Sequence, residues 1–302
     1  MRKAFVETLI KLAERDSRVV LLTGDLGYTV LEPFINKFPN RFYNIGVAEQ
    51  NMVGVATGMA EAGYIPFVYS IATFASLRAY EFIRNGPIWQ KLPVRIVGIG
   101  GGFEYGTLGL SHYALEDVGA MRLQPEMTVV VPVDVTQVET VMQKTWNLAG
   151  PVYYRLSKWD LPPIPELAGK FALGQLQILR QGEQGVCIAM GGLVRQALKI
   201  ANNLARSGIS IGVAAIASVS PPPIRQLRRL LAQVPIVMTL ESHYKIGGIG
   251  TLVAEIIADN QLSCRLIRGG INNNLPTALG DESYLMNLYK LRREVMSNKS
   301  EK

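Results

Sequence analysis

Cysteine is scarce in this 302-residue chain, with only Cys187 and Cys264. Both sit in apolar, strand-like contexts, GVCIAM and SCRLI, and read as buried inert thiols. Two such thiols exclude a disulfide framework and a thiol-built metal cluster. Histidine is as rare, so a three-ligand metal site would need carboxylates, and no spacing offers them. GxxxxGK[ST] is absent, which excludes a P-loop. Gly98-Ile99-Gly100 runs into Gly101-Gly102-Phe103 and misses GxGxxG, and neither HExxH nor GxSxG occurs. No apolar run approaches the roughly 18–20 residues of a membrane span. The opening MRKAFVETLIKLAERD carries acidic residues where a signal peptide has its apolar core, so a cytoplasmic protein with no membrane partner is expected. The net charge of +7 comes without a helix-turn-helix, zinc-finger or aromatic nucleic-acid signature, so no nucleic-acid partner is expected. Basic clusters at Arg225, Arg228 and Arg229 and after Leu288 read as solvated faces and a frayed end. A phosphorylated substrate or an acidic partner chain is the alternative use of that charge.

What is present is a large apolar fraction, 48%, against 18% charged residues, enough for the cores of two domains. Residues 2–15 place Phe5, Val6, Leu9, Ile10, Leu12 and Ala13 on one helical stripe. Short apolar strands then alternate with helices: RVVLLTG, a helix from about Val47 to Ala62, YIPFVYS, a helix from Thr73 to about Gln90, VRIVGIG, MTVVVP, Thr136–Leu148 and VYYRL. The proline-rich LPPIPELAGK interrupts this pattern, after which the alternation resumes. The expectation is an α/β protein of two parallel-sheet domains covered on both faces, residues 1–160 and 173–302, joined by a linker at 161–172. Ligands of open parallel sheets sit beyond the carboxyl ends of strands. Asp25, Ser70, the Gly98–Gly109 loop and Lys158 all follow strands of the first domain, which marks that domain as the chemical one.

The densest candidate block is NIGVAEQNMVGVATGMAEAGYIPFVYSIATFASLRAYEFIRN, residues 44–85. Glu49 lies in the first turn of a helix otherwise made of small and apolar residues. A carboxylate there complements the helix dipole or forms a capping pair. Phe74, Leu77 and Tyr80 recur at helical spacing, as core residues do, and His112 precedes a helix, as a capping or buried histidine does. Pattern alone favours these structural readings.

Several motifs in order shift that balance: RKA at 2–4, GDL at 24–26, GVAEQNM at 46–52, TF and AY at 73–80, SHYALED at 111–117, and GPVYYRLSK at 150–158. Together they resemble the pyrimidine-binding domain of transketolases, and the remainder resembles the transketolase C-terminal domain. The resemblance implies a thiamine-diphosphate enzyme that moves a two-carbon ketol unit from a ketose to an aldose. It implies that Glu49 hydrogen-bonds the cofactor's aminopyrimidine, that Phe74, Leu77 and Tyr80 line that ring's pocket, and that Asp25 lies near the cofactor. Leu77 stands where the family often has an aromatic. His112 matches a histidine that contacts substrate oxygens. Arg2, Thr29 and either Lys158 or Arg155 match groups that bind the sugar phosphate.

Two departures bear on substrate choice. Leu108 in LGLSH stands where the family has an aspartate that reads a sugar hydroxyl, and a second family histidine falls near Gly100. The family's GDG…Asn motif, which holds the diphosphate with Mg²⁺ or Ca²⁺, is absent. The resemblance therefore implies a partner chain, an N-terminal-half subunit carrying GDG…N, in an α2β2 assembly, acting on sugars or sugar phosphates. Left open are a beta subunit of a 2-oxo-acid decarboxylating enzyme, a relative of deoxyxylulose-phosphate synthase, and a non-catalytic regulatory remnant.

Overall fold

The computed structural model describes residues 1–289; the basic tail beyond that point lies outside the described residues. Six strands come from the first half: β1 (Val19–Thr23), β2 (Phe42–Asn44), β3 (Ile65–Ile71), β4 (Arg95–Ile99), β5 (Thr128–Val130) and β6 (Val152–Leu156). Six follow: β7 (Gln177–Arg180), β8 (Gly185–Ala189), β9 (Ile211–Ala215), β10 (Ser218–Ser220), β11 (Ile236–Tyr244) and β12 (Arg265–Ile271). They form two sheets, ordered β10-β5-β6-β4-β3-β1-β2 and β12-β11-β8-β9-β7. Every residue of β1, β4, β6, β8 and β9 is buried, as strands covered on both faces require.

Helices cover these sheets. In chain order they are α1 (Arg2–Arg15), α2 (Glu32–Lys37), α3 (Glu49–Glu61), α4 (Tyr80–Ile83), α5 (Asp117–Arg122) and α6 (Val135–Thr145) on the first. On the second are α7 (Leu193–Ala205), α8 (Ile224–Leu231), α9 (Ile249–Asp259) and α10 (Glu282–Leu288). The apolar stripe of α1 buries Phe5, Val6, Leu9, Leu12 and Ala13, while α8 leaves Arg225, Arg228 and Arg229 exposed. Cys187 is buried in β8, but Cys264 is only half-buried, unlike the sequence expectation. Among the described residues no helix is long and apolar enough to cross a membrane.

The sheets are parallel except at one edge of each. Strand β7 runs antiparallel to β9, and β10 runs antiparallel to β5. The second pairing matters because β10 belongs to the later half of the chain. It starts just after β9 ends, a connection far too short for a parallel crossover, so the chain steps directly from one sheet into the other. Buried polar contacts reinforce the junction. The Gly119 amide donates to His243 Nε2 at 3.0 Å, and Arg155 donates to the Ser242 carbonyl at 2.8 Å. The expected linker is likewise a packed strap. Ile164 and Leu167 are buried, the Ile164 amide donates to Asp134 at 2.8 Å, and Gln137 donates to the Lys170 carbonyl at 2.9 Å.

The predicted helix from Thr73 to Gln90 is broken. A π-turn spans Phe74–Arg78, α4 follows, and a second π-turn spans Arg84–Ile88. The second contains Pro87, which has no amide to donate, so the hydrogen-bond ladder must lengthen around it. In the first, Ser76 Oγ donates to the Ala72 carbonyl at 2.6 Å, competing with the ladder for that acceptor. Past the first break, Arg78 reaches the Glu49 carboxylate beside the carboxyl end of β3.

Candidate active site

Glu49 opens α3, and its side chain is 1% exposed. The helix begins there, later than the predicted Val47, because Gly46 takes a left-handed φ of 78° that turns the chain. Oε1 accepts from Ser70 Oγ at 2.9 Å, and Oε2 pairs with Arg78 Nη1 at 2.7 Å. Ser70 lies at the carboxyl end of β3, so the carboxylate sits where ligands of such sheets bind. Gly24, just after β1, leaves room for this carboxylate: a Cβ there would lie 3.6 Å from Oε1.

From Glu49 a continuous row of side chains leads outward. The Arg78 guanidinium lies over the Phe74 ring, 4.1 Å from its centroid, and Phe74 meets His112 edge-on at 5.0 Å. His112 lies 6.3 Å from the Tyr105 ring. Lys158 Nζ sits 4.6 Å over Tyr105, and Arg2 Nε donates to the Lys158 carbonyl at 3.1 Å. Partial burial, then the charge of Arg78, holds the His112 imidazole below its ordinary pKa, which keeps it neutral near pH 7. A neutral imidazole offers one donor and one acceptor nitrogen. Ser111 Oγ engages Nδ1 at 3.0 Å.

Asp25 and Thr29 both adopt positive φ, 56° and 66°, which non-glycine residues seldom do. Asp25 accepts from the Tyr28 hydroxyl at 2.7 Å and from Asn44 Nδ2 at 3.1 Å, and these bonds lower its pKa. The Thr29 amide donates to Glu32 at 2.7 Å. Leu108 is 55% exposed on the loop that carries His112, and Leu77 is also exposed. Tyr80 packs on the apolar cluster shared by the two sheets, and its hydroxyl donates to the Ala120 carbonyl at 3.1 Å.

Arg155, expected as the alternative to Lys158 in binding the sugar phosphate, is tied into the protein by its own contacts. Its side chain is 6% exposed; Nε pairs with Asp117 at 2.9 Å, and Nη2 donates to the Ala114 and Ser242 carbonyls at 2.8 Å each. The position near Gly100 also has a physical account. Gly100 has φ of 82°, and a Cβ there would collide with the Tyr105 ring. Tyr105 fills the space a side chain at residue 100 would need. A cavity of about 230 Å³ between the two sheets is lined by Glu104, Arg155, Trp159, Arg195 and Lys199, away from Glu49. Sequence reasoning did not single out Arg78 or Tyr105, although Arg78 stands four residues after Phe74 inside the candidate block.

Residues 1–163 match the family model described as transketolase, pyrimidine binding domain, and residues 174–284 match that of the transketolase C-terminal domain. The chain belongs to the transketolase family. It is 40% identical over 276 residues to a putative transketolase C-terminal section of Methanocaldococcus jannaschii, covering 90% of this chain and 86% of that protein. It is 31% identical over 268 residues to an apulose-4-phosphate transketolase subunit of Phocaeicola vulgatus, covering 88% and 86%. Among solved structures it resembles a split gene transketolase described as an inactive beta4 tetramer, with TM-score 0.87, 34% identity, and coverage of 97% and 95%.

Members of this family use thiamine diphosphate. A buried carboxylate beside a serine hydroxyl, with an aromatic face next to it, fits the aminopyrimidine half of that molecule. Among the described residues no group of three or more His, Cys, Asp and Glu side chains is placed to hold a metal ion.

Proposed function

We propose that this chain is the pyrimidine-side subunit of a two-chain transketolase. It transfers a two-carbon ketol unit from a ketose, preferably phosphorylated, to an aldose. A separate chain bearing a GDG…N site with Mg²⁺ completes the active site, in an α2β2 assembly. The observation that carries this reading is Glu49, a carboxylate buried at a strand's carboxyl end between a neutral donor, Ser70, and a cation, Arg78. Two relatives, one named as a C-terminal section and one as a transketolase subunit, are each matched over most of their length and support the two-chain arrangement.

When bound, the cofactor supplies the nucleophilic carbon and the electron sink. Glu49 would share a proton with a nitrogen of the aminopyrimidine ring, and its buried setting would strengthen that hydrogen bond. Phe74 offers a flat apolar face for the ring. Neutral His112 donates to, or accepts from, an oxygen of the sugar. Lys158 and Arg2, adjoining one another at the outer end of the row, attract an anionic group on the far end of the sugar, with Lys158 acting as a point charge. Glu49→Gln in the reconstituted two-chain enzyme should leave assembly intact while slowing hydrogen–deuterium exchange at the thiazolium carbon of added thiamine diphosphate by orders of magnitude. Unchanged exchange would return Glu49 to a helix-dipole role.

A further inference from the structure

Arg78 has no part in that mechanism, yet it holds the most consequential contact in the site. Its Nη1 lies 2.7 Å from Glu49 Oε2, and its guanidinium lies 4.1 Å above the centre of the Phe74 ring. Glu49 is 1% exposed, whereas Arg78 keeps 36% of its side chain open. A guanidinium is flat, stacks on aromatic faces and presents N–H donors in its plane. A 4-aminopyrimidine is also flat, stacks on the same kind of face and hydrogen-bonds a carboxyl group through its edge. One ring face and one carboxylate oxygen cannot serve both groups at once.

We infer that Arg78 fills the aminopyrimidine's seat in the unloaded chain and is displaced by the ring on loading. The inference rests on the reading of Glu49 as the ring's partner. The physical reason for such a stand-in is the buried charge. Ser70 satisfies Oε1 alone, and a carboxylate buried without a counter-charge is strongly destabilising. Arg78 supplies the counter-charge until the ring arrives. Its long side chain already reaches solvent, so it can leave the carboxylate without crossing the core. Loading is then a competition. The apparent affinity for the ring is the intrinsic affinity reduced by the fraction of molecules whose seat is open.

This arrangement predicts opposite signs for two measurements on one variant. In Arg78→Met the full chain should lose thermal stability, because Glu49 loses its counter-ion. The same variant should bind 4-amino-2-methylpyrimidine about tenfold more tightly by calorimetric or NMR titration, as expected for a seat open about one-tenth of the time. A side chain with a merely structural role would weaken both. Unchanged or weaker ring binding in Arg78→Met, or no detectable binding to it at millimolar ring, overturns the inference. Glu49→Gln separates this from the reading beneath it. Loss of ring binding there supports Glu49 as the ring's partner, whatever Arg78 does, and wild-type ring binding there overturns that reading and the inference with it.

Discussion

Replacing Arg155 with Met tests whether this residue holds the protein together or meets substrate. The side chain is 6% exposed and makes one ion pair, to an Asp117 that is fully buried, and two hydrogen bonds to carbonyls on separate elements. One of those carbonyls, Ser242, belongs to β11 of the second sheet, so the residue bridges the two sheets. Methionine matches the length of the aliphatic stem but leaves Asp117 with only the Tyr153 hydroxyl, at 2.7 Å. Breaking a buried pair by removing one partner costs about 3–5 kcal/mol. At about 2–4 °C per kcal/mol for large domains, Tm should fall by roughly 6–20 °C. Thermal unfolding of the full chain followed by circular dichroism measures this. Adding Asp117→Asn removes the stranded charge, so the double variant should recover part of the loss. A Tm within about 2 °C of the parent, together with a raised KM for a phosphorylated donor in the two-chain enzyme, would refute the structural role and return Arg155 to the substrate.

Other expectations concern the partner, the pH response and the substrate. Alone, the chain should bind thiamine diphosphate weakly and without Mg²⁺ dependence in calorimetry; tight, Mg²⁺-dependent binding would overturn the two-chain reading. Burial pushes the Glu241 carboxyl up to about 8 from 4.5, against the lowering effect of bonds from the Gly250 and Ile249 amides. The folded state therefore favours its protonated form, a contribution complete below about pH 4.5 and lost as pH rises through about 8. Tm should decline less steeply across that window in Glu241→Gln, and an unchanged slope would refute the assignment. Leu108 cannot pair a sugar hydroxyl, a mismatch worth about 1–3 kcal/mol, so Leu108→Asp should raise preference for a donor with a hydroxyl there by roughly 5- to 150-fold. A donor panel on the reconstituted enzyme reads this out. A parent that strongly prefers xylulose phosphate, with that preference weakened in Leu108→Asp, would show that Leu108 does not face the hydroxyl.

The α/β architecture was legible in the sequence because its signals are local. Continuous apolar runs such as VVLLT and RIVGI mark doubly covered strands, and the stripe of α1 is an i, i+3, i+4 repeat. Glu49 could be singled out because a carboxylate opening an apolar helix is itself a local contrast, and the motifs around it are contiguous. The two-residue step from β9 into the other sheet carries no such signal, since β10 reads as loop until its partner β5 is known. The π-turns were missed because Phe74, Leu77 and Tyr80 have ordinary helical spacing, while the competing Ser76 bond and the missing Pro87 amide act on individual carbonyls. Arg155 looked like a free cation at a strand's end until its partner Asp117 appeared 38 residues away. Arg78 and Glu49, 29 residues apart, meet only because α3 and the broken helix both converge on the end of β3. Periodicity records which face of an element is buried. Which buried charge meets which depends on distances between elements, and those exist only once the sheets have packed.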